Sequence, residues 1–419
     1  MDDSTPVSGA RDQSKYVLGV LCAVYAFNHL DRQVFSVLVE PIKADLGLSD
    51  SAMGFLGGLS FALFYALAGL PIARMADRGS RKAIISAGIV IWCLATAASG
   101  LARNFVQLAV ARVVTGIGEA SNAPASQSMI SDLFPPSRRA TALSVFYIGA
   151  HIGVLLGFAL GGWIAERLGW RAAFIILGSP GLLLALLVWR TVPEPERGAA
   201  EAGPVDTSTL PWRRVVSFLL SSPGLALVLL GQGIHAFSGL GIMVWSAPLL
   251  MRLHGMGMAE TGLWLGPLTG ISGALGVLFG GRLADYLGRR DARWYVRVPA
   301  LSALLGLPFT IGFIMSDDIR IALLCLVPHQ FLGAMTSGPI AAVIQSLVHV
   351  RMRAFAVALS LLAANLIGLG LGPQFVGVLS DLLRGSLGDE SLRYGMLVVG
   401  VANLLAGASY LATGRWLRR

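Results

Sequence analysis

Two adjacent charged residues, Asp31 and Arg32, lie inside a long apolar segment near the start of the 419-residue chain. A charge at the centre of a membrane-spanning helix costs about 2.5–3.5 kcal/mol on insertion scales, so such residues are rare and usually carry function. If this segment ended before residue 28, only about a dozen apolar residues would remain, too few to cross a bilayer. The two charges are therefore predicted to lie within the membrane and to take part in transport or proton relay.

A second pair of charges, Arg112 and Glu119, lies in a later apolar segment. They are seven residues apart, or two helical turns, and are predicted to share one helix face. Adjacent helical residues point about 100° apart, so Asp31 and Arg32 cannot pair well with each other. Because Arg32 stays protonated, it needs an anion elsewhere. We expect Glu119 to pair with Arg32 in at least one state, which leaves Asp31 as the titrating group of a proton-coupling pair, Asp31 and Glu119.

Four polar residues are assigned to the predicted substrate site. Arg32 is expected to hold the phosphate or carboxylate of an anionic substrate in a second state, because guanidinium groups suit such anions. Arg112 lies eight residues into its segment, where a structural or gating role near the outer rim is as compatible with the sequence as substrate contact. Asn28, one turn before Arg32 on the same face, is expected to line a cavity, and His329 is included in the same site.

The remaining histidines and the cysteines give weaker signals. His29, His151 and His235 also fall in apolar segments, where a histidine can relay protons but is more often a hydrogen-bonded core residue. The three cysteines are far apart and predict neither a disulfide framework nor a metal site. No phosphate-binding loop or His-Glu-x-x-His pair is present, so no cofactor, ATP hydrolysis or zinc proteolysis is expected.

The elements that must position these residues are membrane helices. Hydrophobic residues make up 55% of the chain and charged residues only 13%, about half the usual charged share of a soluble domain. Apolar runs bounded by charge, Gly or Pro predict an all-α membrane protein with twelve spans, at about 16–40, 53–73, 82–101, 104–129, 140–164, 171–190, 222–250, 260–281, 296–315, 320–346, 354–379 and 392–413.

The distribution of Lys and Arg predicts the orientation. The even-numbered loops and the two ends hold 22 of these residues, and the opposite side holds 8. This bias places both termini in the cytoplasm of a multi-pass protein of the cytoplasmic membrane, and the polar N-terminus does not have the pattern of a cleavable signal peptide. The net charge of +9 is thereby explained by topology and by anionic membrane lipids, and no nucleic-acid partner is expected.

The chain also divides into two halves that repeat each other. A polar stretch predicts a linker over residues 192–221 between a six-helix bundle at 1–191 and a second one at 222–419. Residues 46–54 are similar in sequence to residues 254–262, and Ala76-Asp77 matches Ala284-Asp285, both at an offset of 208. Parallel repeats of this kind are a transporter architecture with substrate bound between the halves.

The loops after spans two and eight resemble the signature loop of the major facilitator superfamily. Residues 281–290, Gly-Arg-Leu-Ala-Asp-Tyr-Leu-Gly-Arg-Arg, match it almost fully, and residues 73–82 form a degraded copy in which Ala73 and Ser80 replace glycines. The resemblance implies a fold of twelve helices in two pseudo-symmetric six-helix bundles and a gating role for the charged loop residues Asp77, Arg78, Arg81, Lys82, Asp285, Arg289 and Arg290.

Within that superfamily, the first half resembles the Spinster family. The resemblance rests on Asn-His-Leu-Asp-Arg-Gln at 28–33, on Pro-Ile-Lys-Ala-Asp-Leu-Gly-Leu-Ser at 41–49 and on residues 111–120 and 131–140. It implies a proton-coupled secondary transporter, not an enzyme, that acts as a monomer on a lipid-like substrate such as a lysophospholipid or sphingolipid. Export or symport of small organic anions, sugar acids or drugs is the alternative. A channel and an intramembrane enzyme are further alternatives, against which the repeat and its gating loops favour a carrier.

Overall fold

The computed structural model describes residues 8–198, 222–348 and 353–417 of the chain. Eight stretches within these ranges are long and apolar enough to cross a membrane. Two of them, Thr141–Thr191 with 51 residues and Leu359–Trp416 with 58 residues, are long enough for two crossings each, because one crossing needs about 20 residues. The first and fourth predicted spans, which carry the buried charges, complete the twelve crossings.

The first six crossings form the N-terminal half. Its helices are α1 (Ser8–Leu46), α2 (Asp50–Gly54), α3 (Ser60–Arg78), α4 (Arg81–Ser99), α5 (Phe105–Glu119), α6 (Asn122–Leu133), α7 (Pro136–Gly178) and α8 (Gly181–Thr191). The sequence predicts a break between the fifth and sixth spans at 164–171. The structure makes it at Gly169, which has φ 83°, a conformation that glycine adopts without steric cost.

The last six crossings form the C-terminal half. Its helices are α9 (Pro223–His254), α10 (Met258–Gly288), α11 (Trp294–Met315), α12 (Ile319–Ala334), α13 (Ser337–Ser346), α14 (Arg353–Ala363), α15 (Gly372–Leu387) and α16 (Ser391–Thr413). The predicted division at 1–191, 192–221 and 222–419 follows the end of α8 and the start of α9. It stays a prediction, since residues 199–221 of the predicted linker lie outside the described residues.

Four of the crossings are interrupted. The second contains a π-helical segment, Phe55–Leu59, and the eleventh contains another, Ala364–Leu371. Segments of this kind are frequent at functional sites. The fourth crossing breaks between α5 and α6, and the tenth breaks between α12 and α13.

The breaks in the fourth and tenth crossings have the same local structure. Their sequences are Gly-Glu-Ala-Ser-Asn-Ala-Pro at 118–124 and Gly-Ala-Met-Thr-Ser-Gly-Pro at 333–339. The Ser121 hydroxyl donates to Gly118 O over 2.8 Å, and the Thr336 hydroxyl lies 3.1 Å from Gly333 O. The two halves therefore repeat each other at this point as well as at their signature loops.

A ladder of glycines in α7 sets the position of α1. A β-carbon added at Gly149, Gly153 or Gly157 would lie 2.5, 2.1 or 2.6 Å from a backbone carbonyl oxygen of α1, so larger residues would force the helices apart. The close contact that the four-residue spacing predicts is thus present. It holds the part of α1 that carries Asp31 and Arg32 against the body of the N-terminal half.

The two halves meet mainly on one side of the membrane. We call the side with the ends of α3 and α10 the linker side, and the side with the α1–α2 and α9–α10 turns the far side. On the far side, a β-carbon at Gly262 would lie 2.1 Å from Phe158 O, and one at Gly377 would lie 2.3 Å from Asp50 O. Backbones of opposite halves therefore touch directly there.

Candidate functional site between the halves

An ion pair links the first and fourth crossings. Arg32 Nε donates to Glu119 Oε2 over 2.7 Å, and the Glu119 side chain is fully buried whereas that of Arg32 is 18% exposed. The pair expected from the sequence is therefore formed. The Arg32 guanidinium also lies 4.9 Å from the Phe61 ring centroid and 5.2 Å from that of Tyr65, distances at which cation and ring attract.

Asp31 points away from this pair, as the helix geometry predicts. It is completely buried, and its Oδ2 accepts a hydrogen bond of 2.8 Å from Thr96 of α4. Its second oxygen, Oδ1, has no hydrogen-bond partner among the described residues. Asp31 thus lies behind α1, between the helices of the N-terminal half.

Arg112 is not near the outer rim, as the sequence allowed, but is buried in the centre of the site. Its side chain is 2% exposed, and its guanidinium lies 4.7 and 5.2 Å from the ring centroids of Phe35 and Phe61. Its Nε donates over 3.3 Å to the carbonyl of Leu56, within the first π-helical segment. In the part of the chain that the structure describes, no carboxylate lies within 4.0 Å of Arg112.

A cavity of about 440 Å³ lies between the halves, and several of these side chains line it. Its wall includes both arginines and the four histidines of the apolar segments, His29, His151, His235 and His329. No Asp or Glu of the described chain lines it, since Asp31 and Glu119 lie behind this wall. The remaining wall is largely apolar or neutral, so the cavity presents fixed positive charge beside apolar surface.

Two predicted cavity residues behave differently. Asn28 does not line the cavity but lies buried beside Glu119, because that face of α1 is covered by the fourth crossing. His329 does line the cavity, and its Nδ1 is 2.8 Å from Thr310 Oγ1. The structure thus brings Arg32, Arg112 and His329 together at one cavity and places Asn28 in the layer behind it.

Comparison with known proteins identifies the family. The family profile described as Major Facilitator Superfamily matches residues 21–373. The chain belongs to the major facilitator superfamily. Its described helices have that superfamily's fold, and the family's members are transporters, not enzymes.

Individual relatives narrow this placement. An MFS-type efflux pump of Mycolicibacterium smegmatis is 36% identical over 403 residues, covering 96% of this chain and 93% of the relative. Spinster homolog 3 of Danio rerio is 27% identical over 444 residues, covering 100% of this chain and 88% of the relative. A bacterial homologue of the human lysosomal transporter Spinster, solved in an inward-facing and unoccupied conformation, matches with a TM-score of 0.88 and 30% identity over 97% of this chain and 98% of that one. The resemblance to Spinster is thereby confirmed.

The first signature loop of this transporter is tied to the chain that follows α8. Arg81, which is almost fully buried, pairs with Asp132 of α6 and donates from Nε to Glu194 Oε1 over 2.8 Å. Glu194 also accepts from the Lys82 amide over 2.9 Å and from the Ser80 hydroxyl over 2.7 Å. Burial raises the pKa of Glu194, but these hydrogen bonds outweigh it and hold the pKa below its usual value.

The other predicted gating residues make fewer contacts than Arg81 in the described structure. The Lys82 ammonium lies 5.5 Å from the Trp189 ring centroid, and Arg78 is exposed. In the second signature loop, Asp285 accepts from the Tyr295 hydroxyl over 2.7 Å, and Arg289 and Arg290 are exposed at the end of α10. The side chain of Asp77 lies outside the described part of the structure. The gating roles of this group stay predictions.

A far-side network joins the two halves and was not predicted. Arg252 of α9 donates to Asp50 Oδ2 over 2.8 Å and to Glu40 Oε1 over 2.5 Å, and Lys43 also pairs with Asp50. Asp381 of α15 accepts from the backbone amides of Asp50 and Ser51. In the sequence these residues resemble ordinary loop charges, and only their convergence in space marks them as an inter-half contact.

Proposed function

We propose that this transporter moves an anionic, lipid-like substrate by alternating access and couples the movement to protons. The observation that carries the proposal is Arg112, a buried guanidinium that has no carboxylate of the described residues within 4.0 Å and that lines a cavity with no described Asp or Glu in its wall. A buried charge left without a partner is costly, and guanidinium groups hold phosphate or carboxylate well. Arg32 is already neutralised by Glu119, so Arg112 is the first anchor for an anion.

The shape and lining of the cavity support an amphiphile. Beside the arginines, the wall carries Phe61, Val154, Leu240 and Met243, which suit a hydrocarbon chain. A volume of about 440 Å³ lies in the usual range of small-molecule sites. The Spinster homologues among the relatives are compatible with a lysophospholipid or sphingolipid type of substrate for this chain.

Proton coupling is proposed for the Arg32, Glu119 and Asp31 group. If the anion of the substrate binds Arg32, it displaces Glu119, and a buried carboxylate without its cation is unfavourable unless it takes up a proton. Asp31 lies about 100° around α1 from Arg32. Its Oδ1, which has no hydrogen-bond partner among the described residues, would receive or store that proton. Anion and proton would then load together and leave together.

The conformation of the halves supports alternating access. They are joined on the far side by Arg252, Asp50 and Asp381. We propose that the linker side with both termini is cytoplasmic in the inner membrane, in agreement with the distribution of Lys and Arg. The described state would then be inward-facing, like the homologue with the same fold.

Drug or organic-anion export is the second candidate, favoured by the 36% identity to a mycobacterial efflux pump. A transport assay separates the two. In proteoliposomes with an imposed pH gradient, we expect uptake of lysophosphatidylglycerol, which is anionic, and little uptake of the zwitterionic lysophosphatidylcholine or of glucuronate. Preferred uptake of glucuronate, or of a cationic dye, would contradict the proposed substrate class.

The role of Arg112 is tested in the same assay. Arg112→Gln should lower uptake of lysophosphatidylglycerol about 10- to 100-fold, the value of a hydrogen bond to a charged group, and Arg112→Lys should restore part of it. Arg167→Gln is the matched control, since Arg167 is exposed and stacks on Trp163 at 4.3 Å, away from the cavity. Equal uptake by the Arg112 and Arg167 variants would overturn the assignment.

A further inference from the structure

His235 of α9 lies in the cavity wall with both ring nitrogens held by neutral partners. Its Nδ1 is 3.0 Å from Asn403 Oδ1 of α16, and its Nε2 is 2.9 Å from the Thr336 hydroxyl. Thr336 belongs to the break in the tenth crossing. His235 therefore connects three helices of the C-terminal half at the point where one of them is interrupted.

The Thr336 hydroxyl has a choice of two acceptors. Its oxygen lies 2.9 Å from His235 Nε2 and 3.1 Å from Gly333 O, and it carries a single hydrogen. With neutral His235, this hydrogen points to Nε2 while Nδ1–H donates to Asn403. With charged His235, Nε2–H donates to the Thr336 oxygen and the hydroxyl hydrogen turns to Gly333 O. The ring can gain a proton without losing a hydrogen bond.

The electrostatic surroundings link that proton to an anion. The titratable or charged groups that share the cavity with His235 are His329 of α12, Arg32 and His29 of α1, Arg112 of α5 and His151 of α7. The crossings formed by α14–α15 and α16 contribute only uncharged side chains, Asn365, Leu369 and Asn403, to the described wall. An imidazolium at His235 thus adds positive charge to a positive cavity, and a bound anion relieves the repulsion.

We propose that His235 is a proton acceptor of the C-terminal half that takes up its proton when an anion occupies the cavity. It would be a second proton site besides the Asp31 and Glu119 group, on the opposite wall. Because both nitrogens are engaged by protein groups, His235 is a positioning and charge-balancing residue, not a direct ligand of the substrate. His329 differs, since among the described residues only its Nδ1 has a hydrogen-bond partner, the Thr310 hydroxyl.

The protonation state can be read directly. Protein labelled with ¹⁵N-histidine is placed in nanodiscs, and the imidazole nitrogen shifts, which distinguish neutral rings from imidazolium, are recorded with His235→Gln to assign the signal. Lysophosphatidylglycerol is added at fixed pH, with lysophosphatidylcholine as the zwitterionic comparison. We expect the imidazolium fraction of His235 to rise with the first lipid and not with the second.

The matched variants are Thr336→Val and Thr310→Val. Thr336→Val keeps the shape but removes the hydroxyl that bonds to Nε2 in both protonation states. Because a hydrogen bond from the charged ring is the stronger of the two, the ratio of imidazolium to neutral His235 should fall about five- to tenfold, with or without lipid. Thr310→Val removes the equivalent hydroxyl at His329 and should leave the His235 ratio unchanged. Equal ratios in all three proteins would overturn the proposal.

The part of the experiment in which lipid is added rests on the proposed function. Its outcomes distinguish the proposal for the substrate class from the proposal for His235. If lysophosphatidylglycerol binds, as followed by retention of radiolabelled lipid, and His235 does not gain a proton, the His235 proposal is wrong and the substrate class stands. If the lipid does not bind at all, the substrate class is wrong. His235 is then judged by titration without lipid, in which only Thr336→Val should lower its imidazolium fraction.

Discussion

The break in the fourth crossing and the break in the tenth crossing are the same backbone device used for different chemistry. Each ends a helix at a glycine-containing turn that is closed by a hydroxyl bonded to the carbonyl three residues earlier. In the N-terminal half, the turn carries Glu119 and pairs it with Arg32 of the first crossing. In the C-terminal half, Ala334 takes the equivalent place, and Thr336 bonds to His235 of the seventh crossing.

On the proposed function, this difference gives the two walls of the cavity distinct tasks. The N-terminal wall holds fixed charges, which can attract an anion and exchange it for a carboxylate. Both walls hold histidines, but the described C-terminal wall has no Arg, Lys, Asp or Glu, and its histidines His235 and His329 lie beside hydroxyls and amides that can rotate without a large cost in hydrogen bonds. The two halves share a backbone repeat, but only the N-terminal wall presents fixed charge to the substrate, whereas the C-terminal wall presents uncharged polar groups that can rotate.

Removing Arg32, the partner of Glu119 at the N-terminal break, should have the largest effect. Arg32→Gln leaves Glu119 as a buried carboxylate without its cation, a loss of about 3–5 kcal/mol, and uptake of lysophosphatidylglycerol should fall below detection. Thr336→Val at the C-terminal break should retain measurable uptake and lose about 1 kcal/mol of stability. Thermal unfolding and vesicle uptake of both variants measure this difference. Equal losses of stability and uptake in the two variants would contradict the distinction between the walls.

Opening the far side should have the next largest effect. Arg252→Gln removes the cation that bridges Asp50 and Glu40, and the population of far-side-open molecules should rise about 10- to 100-fold. Spin labels at the exposed positions 103 and 320, one in each half, report the separation. Arg320→Gln, with labels at 103 and 389, is the control for altered far-side charge. An unchanged distance distribution in Arg252→Gln would show that backbone packing alone closes this side.

Asp31→Asn tests whether the N-terminal wall alone carries the proton. The variant should exchange lysophosphatidylglycerol across the membrane at near-normal rates but lose most of the acceleration by a pH gradient, by about tenfold. Counterflow and gradient-driven uptake are compared in the same vesicles. Residual gradient dependence that disappears only in the double variant with His235→Gln would place a second proton site in the C-terminal wall.

Helix packing gives a smaller contrast between the halves. Gly153→Ala puts a β-carbon 2.1 Å from Ala26 O and should cost about 1–3 kcal/mol as α1 and α7 separate. Gly239→Ala in α9 has nothing within 4 Å of its new β-carbon and should be neutral or slightly stabilising. Thermal unfolding in detergent distinguishes them, and a destabilised Gly239→Ala would contradict the packing.

The smallest effect is expected at the loop held by Glu194. Its folded pKa is lowered, so its hydrogen bonds stabilise this contact above the unfolded pKa of about 4.3 and are lost as pH falls through the folded value. The protection factors of the amides of residues 194 and 196–198, which are the exchange rates of the unstructured chain relative to those observed at the same pH, should therefore be high at pH 7 and fall below about pH 4. In Glu194→Gln the protection factors should be lower at pH 7 and nearly independent of pH. Identical profiles would mean that Arg81 and Asp132 hold the loop alone.

Much of the site follows from local physics. The cost of placing Asp31 and Arg32 in an apolar helix predicts a function, the angle between adjacent residues separates the two, and the two-turn spacing of Arg112 and Glu119 predicts a shared face. These arguments need no tertiary structure. The depth of Arg112 and the position of Asn28 were not predictable, because they depend on how far a helix slides along its neighbours and which neighbour covers each face.

The sequence by itself therefore determined that this chain crosses the membrane twelve times in two related halves and that the first and fourth crossings carry charged residues inside the membrane. Composition, hydrophobic periodicity and the free-energy cost of placing a charge in the membrane are properties of single helices, so they can be calculated from the sequence. Only the tertiary structure decided that Arg112 faces a cavity without carboxylates, that Arg252 joins the halves, and that His235 meets Thr336 and Asn403. Those contacts join residues about 100–200 positions apart in the chain, and their distances depend on the packing of whole helices.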